Sequence, residues 1–401
     1  MSAQFPNSLR CVRATLFALA VDRVPAISLR ARLWITVAAA LFTVLLSPIH
    51  LSAQGRADTA GRPREQSSSS LVYLSSGERP ETAARISDYQ KLLDDKNYER
   101  TTAFRVTSIN GGEQVAREVS ERSRRINESQ YQVERTIRKP DSSGRLNTDE
   151  LVKEEHALKG SIEETQRSYY RSDMNGRMAP QAVENETVAQ VSLQEKQTTR
   201  ALYHPDAEGK FSLFEIEEGT ERKVSDGLTV RQSSRKRKEA NGRMPVIESL
   251  KETTTKMGDK SFRKEMILQR AAEEGRLLVT DKITETQSEG PDGVRKYQRL
   301  LESRNVDRVQ PTSASAGLRT TQRVTGEEKL LPGGGIESTT QVETVDPLDP
   351  SSGLRLTEIV TEITKPLGNG KISVERVVKT RDPNGNFPIS QKIAQTIEPG
   401  K

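Results

Sequence analysis

The 401-residue sequence is poor in the side chains that usually build a protein core or a catalytic site. It contains one cysteine, Cys11, and one tryptophan, Trp34, and only 4% of its residues are aromatic. A single cysteine excludes an internal disulfide framework. With 33% hydrophobic and 29% charged residues, the chain is also poorly suited to a large buried core. The composition therefore leaves single-layer structure or disorder as the alternatives.

One long apolar run is present, at residues 33–49, and arginines precede it. The small residues of LSAQ follow at 51–54, which is the order typical of a signal peptide. We predict cleavage after Ala53; the alternative is an uncleaved anchor, since about 17 apolar residues is near the lower limit for a membrane span. Both place the rest of the chain in the periplasm, at the cell surface or outside the cell. Secretion without disulfides favours a bacterial envelope protein.

Charge of one sign is not in excess beyond this leader. The formal net charge is +6, and residues 1–53 carry five arginines against one aspartate. The remaining chain is nearly balanced, whereas a dedicated nucleic-acid binder concentrates basic charge on one face.

Glycine recurs at a fixed spacing through the middle of the chain. Successive positions are 32 or 33 residues apart: Gly111, Gly144, Gly176, Gly209, Gly242 and Gly275. Each glycine is the fourth residue of a repeat unit and is usually followed by Arg or Lys and then an apolar residue. Second turns fall near the middle of several units, as at Gly160 and Asp226-Gly227. Such residues supply the positive φ angles of tight hairpin turns, so the spacing predicts strand, turn and returning strand.

The pattern predicts an all-β fold, an extended antiparallel β-meander or hairpin-repeat ribbon with an N-terminal signal helix. One short helix is predicted near 81–95, and the Leu- and Glu-rich stretches 151–160 and 192–203 leave helix open as an alternative. In the segment 354–365 an imperfect apolar alternation indicates a mid-strand bulge or a strong twist. The predicted divisions are a leader at 1–53, a flexible linker at 54–70, a cap at 71–107, six hairpin repeats of about 33 residues at 108–304 and shorter-period hairpins at 305–401.

The opening of two units, Asp141 to Leu146 and Asp173 to Met178, resembles the tyrosine-aspartate repeats of RHS-type surface and toxin proteins. No tyrosine precedes either aspartate, and the period is longer than in that family. We therefore interpret the resemblance as convergent hairpin chemistry.

Residues for catalysis or metal binding are scarce. The only histidines after the leader are His156 and His204, which argues against a histidine-centred metal site or a Ser-His-Asp triad. Asp382, Asn384 and Asn386 open like a calcium loop, but the closing acid is missing, which favours a plain turn.

Ser233 and Lys236 have the spacing of an acyl-transfer pair without supporting motifs. No nucleotide-binding or hydrolase signature is present. The sequence therefore predicts no enzyme and no cofactor.

The strongest local anomaly is a basic cluster, which we predict as a candidate polyanion site. Its residues are Arg231, Arg235, Lys236, Arg237, Lys238 and Arg243. The sequence favours a secreted or envelope-associated structural scaffold that displays a charged β surface. The alternative is a binding module for an anionic polymer such as polysaccharide, lipid headgroup or nucleic acid. The expected partners are an envelope polymer or another envelope protein, with no nucleotide, and membrane contact only through residues 33–49 if they are not cleaved.

Overall fold

The structure is a computed structural model and describes residues 64–75, 80–94, 96–107, 112–206, 208–272, 275–304, 317–346, 349–368 and 371–398. The predicted leader and signal helix lie outside these residues. The predicted linker overlaps the first strand, because residues 64–70 are already extended and paired.

Twenty antiparallel strands account for almost all of the described chain. They are β1 (Arg64–Ser75), β2 (Pro80–Leu92), β3 (Tyr98–Thr107), β4 (Glu113–Arg125), β5 (Gln130–Pro140), β6 (Leu146–Lys159), β7 (Ile162–Ser172), β8 (Met178–Ser192), β9 (Glu195–Pro205), β10 (Phe211–Ser225), β11 (Leu228–Arg237), β12 (Val246–Gly258), β13 (Ser261–Ala271), β14 (Leu277–Glu289), β15 (Arg295–Ser303), β16 (Arg319–Leu330), β17 (Ile336–Asp346), β18 (Asp349–Gly368), β19 (Lys371–Thr380) and β20 (Ile389–Glu398). The all-β antiparallel meander predicted from the sequence is confirmed.

The sheet is closed rather than extended. Each strand pairs with the next along the chain, and β1 also pairs with β20, from Ser67 opposite Glu398 to Leu74 opposite Gln391. The extended ribbon predicted from the sequence is therefore wrong in this respect. A ribbon would leave two long unpaired edges, and closure removes both.

The short helix predicted near 81–95 is also wrong, because β2 occupies Pro80–Leu92. Ala84 and Ile86 are spaced by two residues and are buried on the same face of that strand. The stretches 151–160 and 192–203, for which helix remained an alternative, are also extended: the first lies in β6, which ends at Lys159, and the second runs from the end of β8 into β9. No helix in the described part of the chain is long and apolar enough to cross a membrane.

The glycines of the 32- or 33-residue series that the structure describes have backbone angles in the left-handed region. Gly144, Gly176, Gly209, Gly242 and Gly275 have φ between 75° and 83°, while Gly111 lies outside the described residues. At Gly144 the amide donates to the Asp141 carbonyl, and the Asp141 amide donates to the Arg145 carbonyl. This is a type I turn followed by a left-handed residue, a common hairpin geometry. The Asp141 carboxylate also accepts the amides of Ser143 and Arg145, which explains the aspartate at the start of the unit.

A bulge interrupts the ladder between each odd-numbered strand and the even-numbered strand that follows it. The extra residues recur at the same place in successive hairpins, for example Asp149, Phe214 and Thr280. In β18 the extra residue is Thr357, which confirms the bulge predicted in 354–365. Because bulges increase twist and bend the strand, a ring of them gives the sheet the curvature that closure needs.

The registers define how the strands are inclined. A path that goes from each residue to its paired residue on the next strand, once around the barrel, returns to β1 about 20 residues from its starting point. The shear number is therefore equal to the number of strands. This corresponds to a strand tilt of roughly 36° from the barrel axis. Twenty strands at about 4.8 Å spacing then give a backbone diameter of roughly 40 Å for a circular cross-section.

Buried side chains identify the inner face of this barrel. Apart from Ala103 and Thr280, they all fall on one face in the register, and that face includes Ile86, Phe104 and Val133. On the same face the Tyr297 hydroxyl reaches Thr340, two strands away. Contacts over an intervening strand are favoured on the concave side of a curved sheet. We refer to this as the inner face and to the opposite side as the outer face.

Candidate functional site: the inner wall

The inner face carries an alternating series of acidic and basic side chains on successive strands. Even-numbered strands contribute acids and odd-numbered strands contribute bases. We call this series the charged girdle; its members on β2 to β12 are Asp88, Arg100, Glu121, Arg135, Glu154, Arg167, Glu184, Arg200, Glu217, Arg235 and Glu248.

Ion pairs link neighbouring members of the charged girdle across the strands. Asp88 pairs with Arg100 at 2.9 Å, and Glu121 pairs with Arg135 at 2.7 Å. Further along, Arg235 pairs with Glu248 at 3.1 Å. Glu121 and Arg135 directly face each other in the register, whereas Asp88 and Arg100 are diagonal neighbours. Both arrangements of opposite charge stabilise an antiparallel ladder, here from the inside of the barrel.

Arg167 on β7 is the most highly connected member of the girdle. Its guanidinium lies 2.7 Å from the Glu184 carboxylate, 2.8 Å from that of Glu186 and 3.2 Å from that of Glu154. The Glu184 side chain is only 5% exposed and also lies 3.7 Å from Arg200. One planar guanidinium thus bridges three strands, because its five donors can serve several carboxylates at once.

These contacts shift the pKa values of the inner wall. Burial disfavours the charged form of Arg167, but its hydrogen bond to Glu186 and the surrounding carboxylates outweigh burial and raise its pKa. Burial also opposes ionisation of Glu154, yet the hydrogen bond to His156 and the charge of Arg167 lower its pKa below the ordinary value. Beside them, burial and the Glu184 charge raise the pKa of Tyr169 to about 12. Arg167 and Glu154 therefore stay ionised at neutral pH, with Tyr169 neutral.

His156 belongs to the same wall. Its ring stacks on Tyr131, with centroids 4.1 Å apart and planes 5° from parallel. Its Nδ1 lies 3.0 Å from the Thr165 hydroxyl, and its Nε2 lies 3.3 Å from the Glu154 carboxylate. Both ring nitrogens have partners, so His156 acts as a packed polar member of the wall.

The structure divides the predicted basic cluster between the two faces and a loop. Arg231, Arg235 and Arg237 lie on the inner face, where Arg237 is 3.0 Å from Glu215. Lys236 lies on the outer face, 2.7 Å from Glu218. Lys238 and Arg243 follow in the β11–β12 connection. Carboxylates thus neutralise part of the cluster, and polyanion binding by these residues stays a prediction.

The other candidate residues also take structural positions. Asp382 accepts the Asn386 amide at 2.8 Å and closes a turn at Gly385. Ser233 faces inward and Lys236 outward, so they form no nucleophile and base pair. Among the described residues, no group of three His, Cys, Asp or Glu side chains is placed to hold a metal ion.

A shallow cavity of about 490 Å³ lies over β5 to β8. Outer-face polar side chains such as Gln132, Glu155, Gln166 and Asn185 line much of it. Gln132 donates to Glu155 at 3.2 Å and Gln166 donates to Asn185 at 3.1 Å. These cross-strand pairs satisfy one another, and they do not form a nucleophile with its base.

No protein-family model matches the chain, and no curated protein does either. Solved structures with a similar fold include Pseudomonas aeruginosa OccK5 (OpdH), with 10% identity, coverage of 84% of this chain and 98% of that chain, and a TM-score of 0.41. The P. aeruginosa siderophore receptor PirA has 8% identity, coverage of 86% and 81%, and a TM-score of 0.41. A mutant of the Rh. blastica porin has 8% identity, coverage of 84% and 98%, and a TM-score of 0.36. At these scores the likeness concerns the general fold, and no functional argument is taken from it.

The predicted export to the cell envelope agrees with these structures. The predicted structural scaffold displaying a charged β surface is wrong. The predicted scaffold was an open ribbon, whereas the sheet closes and turns its charged girdle inward.

Proposed function

We propose that the barrel is a water-filled conduit of the cell envelope that admits hydrophilic molecules into its lumen. The observation that carries this proposal is the β1–β20 pairing, which closes the sheet around an inner face whose β2–β12 sector carries ion-paired polar side chains. Along this polar sector a solute can keep its hydration or exchange water for hydrogen bonds with the protein.

The width of the lumen supports this proposal. In the described sheet, strands make substantial contacts only with strands beside them or one further along, so opposite walls do not meet. Barrels of 16 to 18 strands already leave an aqueous channel. Subtracting side chains on both walls from a backbone diameter of roughly 40 Å leaves a passage on the order of 20–25 Å. Such a passage is wide enough for a folded oligosaccharide or an extended peptide.

The chemistry of the outer face supports a position in water rather than within a bilayer. Arg138 pairs with Glu118 at 3.2 Å, and Lys282 pairs with Glu265 at 2.7 Å, both on the outer face. Lys392 and Glu375 form a similar pair near the closing strands. A lipid-facing barrel instead carries an apolar band about 25 Å tall, and a cation at its midplane costs roughly 2–4 kcal/mol. These pairs lie at three separate places around the wall, so the outer face of the described strands does not form a continuous apolar band.

The pairing of charges also bears on selectivity. Glu184 and Glu121 are neutralised by adjacent arginines, so the inner wall presents both signs at short intervals rather than a field of one sign. A wall of this kind exerts little steering on a small ion of either sign. We therefore expect weak charge selectivity, with admission governed by size.

Single cysteines at adjacent residues test whether the girdle side faces an enclosed lumen. Ser233 points inward and Ser234 outward on β11, and replacing Cys11 by serine leaves a cysteine-free background. Ser233→Cys and Ser234→Cys are labelled with biotin-maleimide in the exported protein and then exposed to streptavidin. We expect both to take the label and only the Ser234→Cys protein to be captured, because streptavidin is too large for the lumen. Equal capture of the two proteins would show an open sheet and refute the conduit.

A bilayer measurement separates the proposed envelope conduit from a lipid-embedded channel. The exported protein is added to a planar membrane at high salt, where an inserted lumen of this width gives large conductance steps. We expect no steps, because the outer-face ion pairs oppose insertion. Stable steps would place the barrel within the membrane and overturn this part of the proposal.

A further inference from the structure

The two rims of the barrel differ in the side chains that they expose. Every even-numbered strand ends at one rim, which we call the even rim, because neighbouring strands are antiparallel. Six large apolar residues at the ends of β2, β4, β6, β8, β10 and β12 are more than half exposed there: Leu93, Ile126, Leu158, Val191, Val224 and Met257. We call these six residues the apolar ring. At the opposite rim several turns are built from Asp-x-x-Gly units, as at Asp141–Gly144, Asp173–Gly176 and Asp206–Gly209.

The apolar ring follows the period of the sequence. Its members recur at intervals of 32 or 33 residues from Leu93 to Met257, and the next position of the series is occupied by Gly290. In β8, β10 and β12 the member is an extra residue in a bulge beside the turn, namely Val191, Val224 and Met257. A bulge leaves its extra residue outside the ladder and redirects its side chain. The repeat thus places an exposed apolar group at the same point of successive hairpins.

The spacing of the apolar ring identifies the kind of surface that it fits. Successive members lie two strands apart, which is about 10 Å at the spacing of a β-sheet. Isolated side chains at this separation form neither a groove nor a continuous patch that a folded partner could fill. A fluid, flat surface can accommodate each of them separately, as the interfacial layer of a lipid bilayer does.

The position of the chain ends points to the same surface. Arg64 at the start of β1 pairs with Leu92, and β20 ends at Glu398, so both ends of the described chain lie at the even rim. In the sequence, residues 50–63 connect this point to the apolar run 33–49. Fourteen residues span at most roughly 50 Å. If the chain keeps this run as the uncleaved anchor, which is the alternative to cleavage after Ala53, a bilayer held by it would lie within reach of the even rim.

We propose that the even rim rests on a lipid bilayer, with the apolar ring inserted into its interfacial layer. The barrel then stands end-on against the membrane, with its charged outer face in water. This inference does not depend on the conduit, because a barrel with a blocked lumen would dock in the same way.

Matched methionines on the two rims provide the test. Met257 belongs to the apolar ring, whereas Met174 is fully exposed in an Asp-x-x-Gly turn of the opposite rim. Met257→Cys and Met174→Cys, each in the exported full chain carrying Cys11→Ser, are labelled with the environment-sensitive dye NBD. Vesicles of phosphatidylethanolamine and phosphatidylglycerol (about 3:1) are added, with and without a lipid that carries a shallow nitroxide quencher. We expect a blue shift, brighter emission and nitroxide quenching at position 257, and no change at position 174.

This readout separates docking from simple tethering. A chain held only by residues 33–49 would bind vesicles without immersing position 257, and an unchanged NBD spectrum there would overturn the proposal. Equal immersion of both positions would also overturn it. A spectral change that depends on protein concentration without vesicles would instead show two copies stacked by their rims.

A second variant tests whether the ring acts as a unit. Leu158→Asp, Val191→Asp and Val224→Asp are combined in the Met257→Cys protein, and far-UV circular dichroism checks that the exposed substitutions leave the fold intact. Because an apolar side chain leaving water contributes roughly tenfold to partitioning, insertion at position 257 should require at least 100-fold more lipid or be lost. Unchanged insertion would refute the role of the ring.

Discussion

Replacing Arg167 by methionine is the most direct test of the charged girdle as a stabilising structure. The substitution preserves much of the volume but removes the guanidinium from Glu154, Glu184 and Glu186, which lie 3.2, 2.7 and 2.8 Å away. Breaking a buried pair by removing one partner costs about 3–5 kcal/mol. Because Arg167 is 23% exposed and Arg200 still lies 3.7 Å from Glu184, we expect a loss of about 2–3 kcal/mol.

The loss is measured by urea denaturation followed by far-UV circular dichroism. The matched control is Arg138→Met on the outer face, whose pair with Glu118 is half exposed and should contribute less than about 1 kcal/mol. Adding Glu184→Gln to Arg167→Met should restore part of the stability, since it removes a buried carboxylate that has lost its main partner. Equal losses for Arg167→Met and Arg138→Met would contradict the idea that the inner wall stabilises the barrel.

The pH dependence gives a second readout of the same variant. The folded pKa of Glu154 lies below its ordinary value of 4.5, so its contribution is fully present above pH 4.5 and is lost as the pH falls through the lower folded pKa. In Arg167→Met, one cause of that lowering is absent. The acid-dependent decrease in unfolding free energy below pH 4.5 should therefore be smaller than in the original chain.

Further predictions concern glycines and processing. Gly326→Ala would drive a Cβ into the ring of Tyr297, so we expect the free energy of unfolding in urea to fall by about 1–3 kcal/mol. A smaller residue at position 297 should restore it. An unchanged urea midpoint would mean that the ring does not lie over Gly326. Gly242→Ala, at φ 83°, should cost about 1–2 kcal/mol and expose its turn to protease, whereas Gly227→Ala, whose Cβ meets only ordinary contacts, should cost less than about 0.5 kcal/mol. Mass spectrometry of the exported chain should find its N-terminus at Gln54; an intact N-terminus would select the anchor.

Local chemistry made the strands and turns of this fold predictable. Gly144 and Gly242 must take positive φ, and the aspartate that opens the unit at Asp141 caps its own turn. The false helix near 81–95 arose because the apolar residues do not keep to one face: Ile86 and Leu92 lie on the inner face and Tyr89 on the outer face. The charged Asp88 also lies on the inner face. An inner wall that contains charge breaks the alternation of apolar and polar residues by which strands are usually recognised.

Closure and the girdle depend on distant residues, which is why the sequence did not reveal them. Pairing of β1 with β20 leaves no pattern in the sequence of either strand, because both have the composition of interior strands whether the sheet is open or closed. The girdle did leave a signal that was missed: Glu121 and Glu154 are 33 residues apart, as are Arg167 and Arg200. In a hairpin array that spacing returns to the same height two strands later. Acidic residues are so abundant in the sequence that the girdle carboxylates do not stand out individually. Only their constant distance from the turn glycines distinguishes them from the other acidic residues.

The β1–β20 pairing also sets the order of events during synthesis. All other strand pairs join segments that are close in sequence and can form as the chain emerges, but β1 must wait for the last strand. A nascent chain of any intermediate length therefore has an incomplete sheet with two free borders, each able to recruit another molecule. Charged side chains on both faces reduce this hazard through repulsion and hydration. Truncation before Ile389 would make that transient state permanent, so the final ten-residue strand protects the whole barrel against association.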